Sequence, residues 1–256
     1  FAQSAAVITY PDGQRIFEKN PDQPLALASI SKLMTALVVK ELIPVSAITF
    51  TVRILEEDIA VEGDSGFMAG EEFLSESLLD AMLAGSSNDA AHALARASIV
   101  YAESAGRLMT FADLMNDRAS VAGLNSLFFV NETGLDVSLL KAGGVGSAGD
   151  VVKLFALILQ KFPDLLSGTR HPYINIKAIS GRAITVENSN NFAVRWPGLI
   201  ASKTGFTDVA GGNLVIAADI GFQQPVIIAV LGSTEQGRFE DVLKLYEASR
   251  IYYSIE

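Results

Sequence analysis

Both ends of this chain read as β-strand, with a long helical stretch between them, and that arrangement constrains the fold more than any other feature. Ala5 to Tyr10 is strand-like, Pro11-Asp12-Gly13 is a turn signal, and Gln14 to Lys19 alternates into a second strand. In the last third, Tyr173 to Ile179 and Arg182 to Glu187 flank Ser180-Gly181. Asn213 to Ile220 and Val226 to Leu231 flank a turn at Gly221 to Pro225. Helical periodicity fills Ser75 to Leu83, Ala90 to Tyr101, Arg107 to Ala119 and Ala148 to Leu159, and Arg238 to Tyr252 closes the chain as a helix. Gly143-Gly144-Val145-Gly146 reads as a flexible break. One antiparallel sheet built from both chain ends, flanked by helices and carrying a mostly helical inserted lobe, is an α+β fold. The chain is expected to form one domain over 1–256, with an α/β lobe at about 1–50 plus 170–256 and a helical lobe at about 51–169.

Composition removes several function classes. Half of the residues are hydrophobic, enough for a substantial core. The net charge is −10 and no basic cluster is present, so nucleic acid is not an expected partner. A polybasic segment for anionic lipid is also missing. There is no cysteine, which rules out disulfides and thiolate metal sites. The longest apolar runs, such as Val226 to Leu231, are too short to span a bilayer.

Three short patterns carry chemistry: Ser29-Ile30-Ser31-Lys32 is an S-x-x-K, Ser86-Ser87-Asn88 an S-x-N, and Lys203-Thr204-Gly205 a K-T-G. Singly, each has an ordinary structural explanation: a helix cap, a solvated lysine, a loop, a turn. Ser138-Leu139-Leu140-Lys141 and Ser189-Asn190-Asn191 match the first two patterns as well. Order and setting distinguish the trio. Ser29 follows a proline-containing loop and opens a helix whose apolar stripe is Ile30, Leu33, Met34, Leu37 and Val38, ended by Pro44. Ser29 and Lys32 are three residues apart and share a face. Lys203-Thr204-Gly205 lies just before an expected edge strand.

The chemistry is coherent. A serine hydroxyl needs a base to take its proton, and lysine is a base only when its pKa is depressed. Burial depresses it, and so does a second cation, for which Lys203 is the candidate. A serine at a helix N-terminus gains a favourable field for developing negative charge.

Beyond the trio, the sequence resembles the low-molecular-mass penicillin-binding proteins, the serine D-alanyl-D-alanine carboxypeptidase family with its β-lactamase/transpeptidase-like fold. The resemblance runs through Ala28 to Thr35, Ser86 to Ala91, Phe129-Val130-Asn131-Glu132-Thr133-Gly134-Leu135-Asp136, Ser202 to Asp208, Val230 to Ser233 and Gly237 to Glu240. It implies that Ser29 forms the acyl-enzyme, that Lys32 activates it, and that Ser86, tuned by Lys203, passes a proton to the leaving amine. Asn88 would hold the substrate amide, Thr204 and Arg238 would bind its terminal carboxylate, and Gly205 and Phe206 would also contact the substrate. The backbone N–H groups of Ser29 and Phe206 would form the oxyanion hole. The implied partners are peptidoglycan stem peptides ending in D-Ala-D-Ala and β-lactam antibiotics. No metal or organic cofactor is implied. The implied location is extracytoplasmic, with any membrane association running through segments outside this chain. A β-lactamase, a D,D-endopeptidase and a β-lactam sensor share the scaffold and remain alternatives. Glu132 stands where many relatives have proline and reads as a surface loop residue, while His92 and His171 lack a motif setting and are assigned to structure.

Overall fold

The computed structural model of the chain describes residues 1–43, 50–63, 65–104, 106, 109–193, 196–221 and 223–255. Pro44 and Arg107, expected at helix boundaries, and Phe222, in the expected last turn, lie outside the described residues. In chain order the first elements are β1 (Ser4–Thr9), β2 (Arg15–Lys19), β3 (Leu25–Ala26), a 3-10 turn at Ala28–Ser31 and α1 (Lys32–Leu42). The middle holds β4 (Thr51–Arg53), β5 (Glu72–Leu74), α2 (Ser75–Ala84), α3 (Asn88–Ser104), α4 (Phe111–Val121), β6 (Phe128–Phe129), β7 (Gly144–Gly146) and α5 (Ala148–Lys161). The hairpin β8 (Tyr173–Lys177) and β9 (Ala183–Glu187) follows, then β10 (Leu199–Thr207), β11 (Gly211–Asp219), β12 (Pro225–Ser233) and α6 (Gly237–Ile255).

The main sheet has five strands in the order β10-β11-β12-β1-β2, so the two chain ends meet at its centre. β1 runs antiparallel to β12, with Val7 opposite Ile228. Period-two alternation assigns the two faces. Ala6, Ile8, Val215, Ala217, Ile227, Ala229 and Leu231 join the core shared with α1 to α5. Val7, Leu214, Ile216, Ile228 and Val230 pack against Phe239, Val242 and Tyr246 of α6. The sheet therefore has apolar cover on both faces, as the α+β reading expects.

α1 is the central helix, in contact with α2, α3, α4 and α5. Every residue from Lys32 to Val39 is buried. This differs from the single apolar stripe expected, because neighbours surround the helix on all sides. The α-helix proper begins at Lys32, with Ser29 in the preceding 3-10 turn.

Three other expectations are corrected. The glycine run is not a flexible break: β7 is the middle strand of a three-stranded sheet between β3 and β6. A side chain at Gly144 would meet Ser31 Oγ at 2.4 Å, and one at Gly146 would meet Leu127 at 2.3 Å. Lys203-Thr204-Gly205 lies inside the edge strand β10, not before it. α4 starts at Phe111, where Thr110 and Asp113 form a reciprocal capping box.

The turn carrying Ser29 is held by close backbone packing. Ala28 has a φ of 48°. Gly134 has a φ of 78°, and a Cβ there would sit 2.0 Å from the Ala28 carbonyl oxygen. Gly134→Ala is thus strained both by conformation and by collision with main chain. It is expected to lower stability by about 2 kcal/mol or more, measured by urea unfolding of the variant against the parent chain. An unchanged midpoint would show that this loop does not support the Ser29 turn.

Candidate active site

Four of the expected residues form two Ser/Lys pairs. Lys32 Nζ lies 3.0 Å from Ser29 Oγ, because three residues of 3-10 and α-helical backbone bring both side chains to one face. Lys203 Nζ lies 2.8 Å from Ser86 Oγ, joining β10 to the α2–α3 connection. Both lysines are buried, at 0% and 1% exposure, while both serines are half-buried.

Lys32 has a full set of partners. Besides Ser29, its Nζ donates to Asn88 Oδ1 at 2.7 Å and to the Thr133 carbonyl at 2.7 Å. An ammonium has three hydrogens and finds three acceptors here. A neutral amine has two hydrogens and one lone pair. It can donate to Asn88 and Thr133 and accept the Ser29 hydroxyl hydrogen in the same geometry. The site thus fits both protonation states without rearrangement. Burial pulls the Lys32 pKa down to about 7, against a smaller upward pull from the Glu132 carboxylate.

Lys203 also donates to the Thr204 carbonyl, at 2.9 Å. Burial holds its pKa well below the ordinary lysine value, and the charges of Lys32 and Arg238 press it further down. Burial is the main cause for both lysines, as expected for Lys32, and the mutual repulsion of the two cations acts in the same direction.

Asn88 opens α3 and bridges two elements, with Oδ1 on Lys32 and Nδ2 on the Glu62 carbonyl at 2.6 Å. Ser86 has a φ of 63°, a conformation that non-glycine residues seldom adopt. Gly205 lies so close to the Ser29 turn that a Cβ would meet the Leu27 carbonyl oxygen at 2.8 Å. Phe206, next along β10, is 44% exposed. Arg238 Nη1 donates to the Gly205 carbonyl at 2.9 Å, and its guanidinium lies over the Phe239 ring, 4.8 Å from the centroid. Its Nε is buried without a partner.

Sequence reasoning missed several residues. Thr204 Oγ1 lies 2.6 Å from Ser189 Oγ, so Ser189 of the second S-x-N pattern belongs beside the site. Asn190 of that pattern donates to Ser202, next to Lys203, at 3.0 Å. Thr133 enters through its carbonyl, for which no side-chain pattern exists. Glu132 is not a surface residue: its side chain is 17% exposed and 2.7 Å from His92 Nδ1. The partners are forty residues apart in the chain, beyond the reach of local patterns. His171 is exposed, and its carbonyl accepts from Asn188. The second S-x-x-K forms only a tight turn, with a bridge between Ser138 and Lys141.

Similarity to known proteins agrees with this geometry. The family described as D-alanyl-D-alanine carboxypeptidase matches residues 1–235. The D-alanyl-D-alanine carboxypeptidase DacF of Bacillus subtilis (strain 168) is 28% identical over 251 residues, covering 96% of this chain but 61% of the relative's length. A D-alanyl-D-alanine endopeptidase of Escherichia coli (strain K12) is 29% identical over 265 residues, covering 99% of this chain and 76% of the relative. The structure of penicillin-binding protein D2 from Listeria monocytogenes, in its ampicillin-bound form, superposes with a TM-score of 0.78 at 29% identity and covers 96% of each chain. With that match extending over both Ser/Lys pairs and the strand that carries the second, the chain belongs to the D-alanyl-D-alanine carboxypeptidase family.

Proposed function

We propose that the protein is a serine D-alanyl-D-alanine carboxypeptidase that removes the terminal D-alanine of peptidoglycan stem peptides through a Ser29 acyl-enzyme. The observation that carries this reading is the buried Lys32 amine at 3.0 Å from Ser29 Oγ, with its pKa brought to about 7. Ser29 Oγ attacks the penultimate D-alanine carbonyl, and its proton passes to neutral Lys32. The C–N bond breaks as Ser86, held by Lys203, relays to the leaving amine the proton that Lys32 took from Ser29, which returns Lys32 to its neutral form. Backbone N–H groups of Ser29 and Phe206 serve as the oxyanion hole. Asn88 orients the acyl side of the substrate. Water then cleaves the ester and releases the shortened peptide.

Arg238 and Thr204 are assigned to the terminal carboxylate. A guanidinium offers a planar fork of donors that suits a carboxylate, and that of Arg238 is anchored beside β10 by its bond to the Gly205 carbonyl. β-Lactams present a carboxylate beside a reactive carbonyl and are expected to acylate Ser29 in the same way. The ampicillin-bound relative supports this. The proposed site of action lies outside the cytoplasmic membrane, where the substrate is. Among the described residues no helix is long and apolar enough to cross a membrane. The similarity to an endopeptidase supports one variant of the reading, cleavage of cross-linked peptide by the same residues.

Intact-mass spectrometry with benzylpenicillin, together with D-alanine release from a stem peptide, tests the proposal. Acylation and release are expected in the parent chain and neither in Ser29→Ala, with the fold retained. Release by the Ser29→Ala variant would overturn the assignment. Muropeptide dimers as the only substrate cleaved would favour the endopeptidase variant.

The pH dependence has a defined sign. Lys32 must be neutral to act as a base, so acylation is expected to rise as pH increases through about 7 and to level off above it. A rate that falls across that interval would exclude Lys32 as the base. Arg238→Gln is expected to lower kcat/KM by about tenfold or more, the loss of one or two hydrogen bonds to a charged group at about 1.5–3 kcal/mol each. An unchanged kcat/KM would remove Arg238 from carboxylate recognition.

A further inference from the structure

The two fixed acceptors of Lys32 come from different elements. Asn88 Oδ1 belongs to the start of α3, and the Thr133 carbonyl to the loop after β6. A second contact ties the same two elements together. His92 is four residues beyond Asn88 and lies on the same face of α3. Glu132 immediately precedes Thr133. His92 Nδ1 and Glu132 Oε1 are 2.7 Å apart. The Glu132 carbonyl also accepts from Thr35 Oγ1 at 2.7 Å, fastening the loop to α1 one turn beyond Lys32. Neither ionisable group is sealed from solvent protons, with side chains 33% and 17% exposed.

We propose that the His92–Glu132 pair is a positioning strap for Lys32, which fixes the separation of its two acceptors and, through the net charge of the pair, sets the pH range in which Lys32 serves as a base. The functional meaning rests on the acyl-transfer reading above. The groups facing His92 are Glu132, and Glu57 and Asp58 from the turn before α2. Asp58 is itself paired with Arg96, one turn further along α3, at 2.7 Å. The charge of Glu132 bears on Lys32, and those of Lys32 and Arg238 bear on Lys203. The hydrogen bond to Glu132 holds the His92 pKa above its ordinary value against the opposing effect of burial, and the charges of Glu132, Asp58 and Glu57 add to it. Burial pushes the Glu132 pKa up, but the His92 bond and the charges of His92 and Lys32 outweigh it and hold it low.

The strap therefore has two charge states. With His92 protonated, the pair is neutral overall and attracts the Lys32 ammonium weakly. Once His92 loses its proton, the pair carries one negative charge, and the protonated form of Lys32 is favoured. Removing the carboxylate and removing the cation must then move Lys32 in opposite directions. A merely structural contact would not produce that sign pattern.

The test is an NMR titration of the full chain containing lysine labelled with 13C at Cε, with the Lys32 signal identified by its absence in Lys32→Ala. In Glu132→Gln the Lys32 midpoint is expected to fall by about one pH unit. In His92→Asn, whose amide nitrogen replaces Nδ1 without its charge, the midpoint is expected to rise. The acid limb of labelling by a fluorescent penicillin should move in the same two directions. Each variant is judged by its own sign, so a folding failure in one leaves the other decisive. Unmoved midpoints, or midpoints that move the same way in both variants, would overturn the strap. Absence of penicillin labelling in the parent chain would instead overturn the acyl-transfer reading, since the NMR midpoints do not depend on the reaction.

Discussion

A lysine amine fully enclosed by the fold is the constraint on which the rest depends. Lys32 sits on α1, the helix most completely enclosed by the fold, and burying an ammonium costs several kcal/mol unless its hydrogens are matched. The match comes from three places at once: the turn before α1, the first residue of α3 and the loop after β6. Displacing any one of these would leave a buried charge short of a partner. The packing of the helical region can thus be understood as the means of bringing three acceptors to one point.

The second Ser/Lys pair repeats the arrangement with different elements. Lys203 reaches the cleft from an edge strand, and Ser86 reaches it from a residue in left-handed backbone. Ala28, beside Ser29, has the same unusual backbone sign. Strain of this kind persists only where the surroundings over-determine it, and here the surroundings include glycines pressed against main chain. Gly134, Gly144 and Gly205 approach the Ser29 turn from three sides, each at a distance that a Cβ would violate. The stiffness around Ser29 therefore comes from missing side chains as much as from present ones.

Much of this was legible in the sequence. Strand alternation at both chain ends gave the sheet, and the three motifs located both Ser/Lys pairs. What was not legible has identifiable causes. The Gly144–Gly146 strand carries almost no side chain from which a period could be read, yet that is what lets it slide between Ser31 and Leu127. Lys203-Thr204-Gly205 was displaced from its strand because a buried lysine and a glycine interrupt the alternation. The start of α4 does carry a local signal, Thr110-x-x-Asp113, the residues of its capping box. Glu132 and Ser189 are different: their roles depend on partners brought near by the fold, and no local pattern contains that information.

The meeting of the chain ends has a consequence for biosynthesis. β10, which carries Lys203, is attached to the remainder of the sheet through β11 and β12, and β12 pairs with β1. β1 must therefore wait for β12, with Ser4 paired to Leu231 across most of the sequence, and the sheet that seats Lys203 opposite Ser86 is closed only then. Such long-range pairing slows folding, because loop-closure entropy is lost before the contacts that compensate it are gained. A partly made or partly unfolded chain can contain Ser29 and Lys32 at the start of a formed α1 and still lack the Ser86–Lys203 pair. The topology thus makes closure of the sheet a condition for the site, since Lys203 faces Ser86 only once β12 has paired with β1.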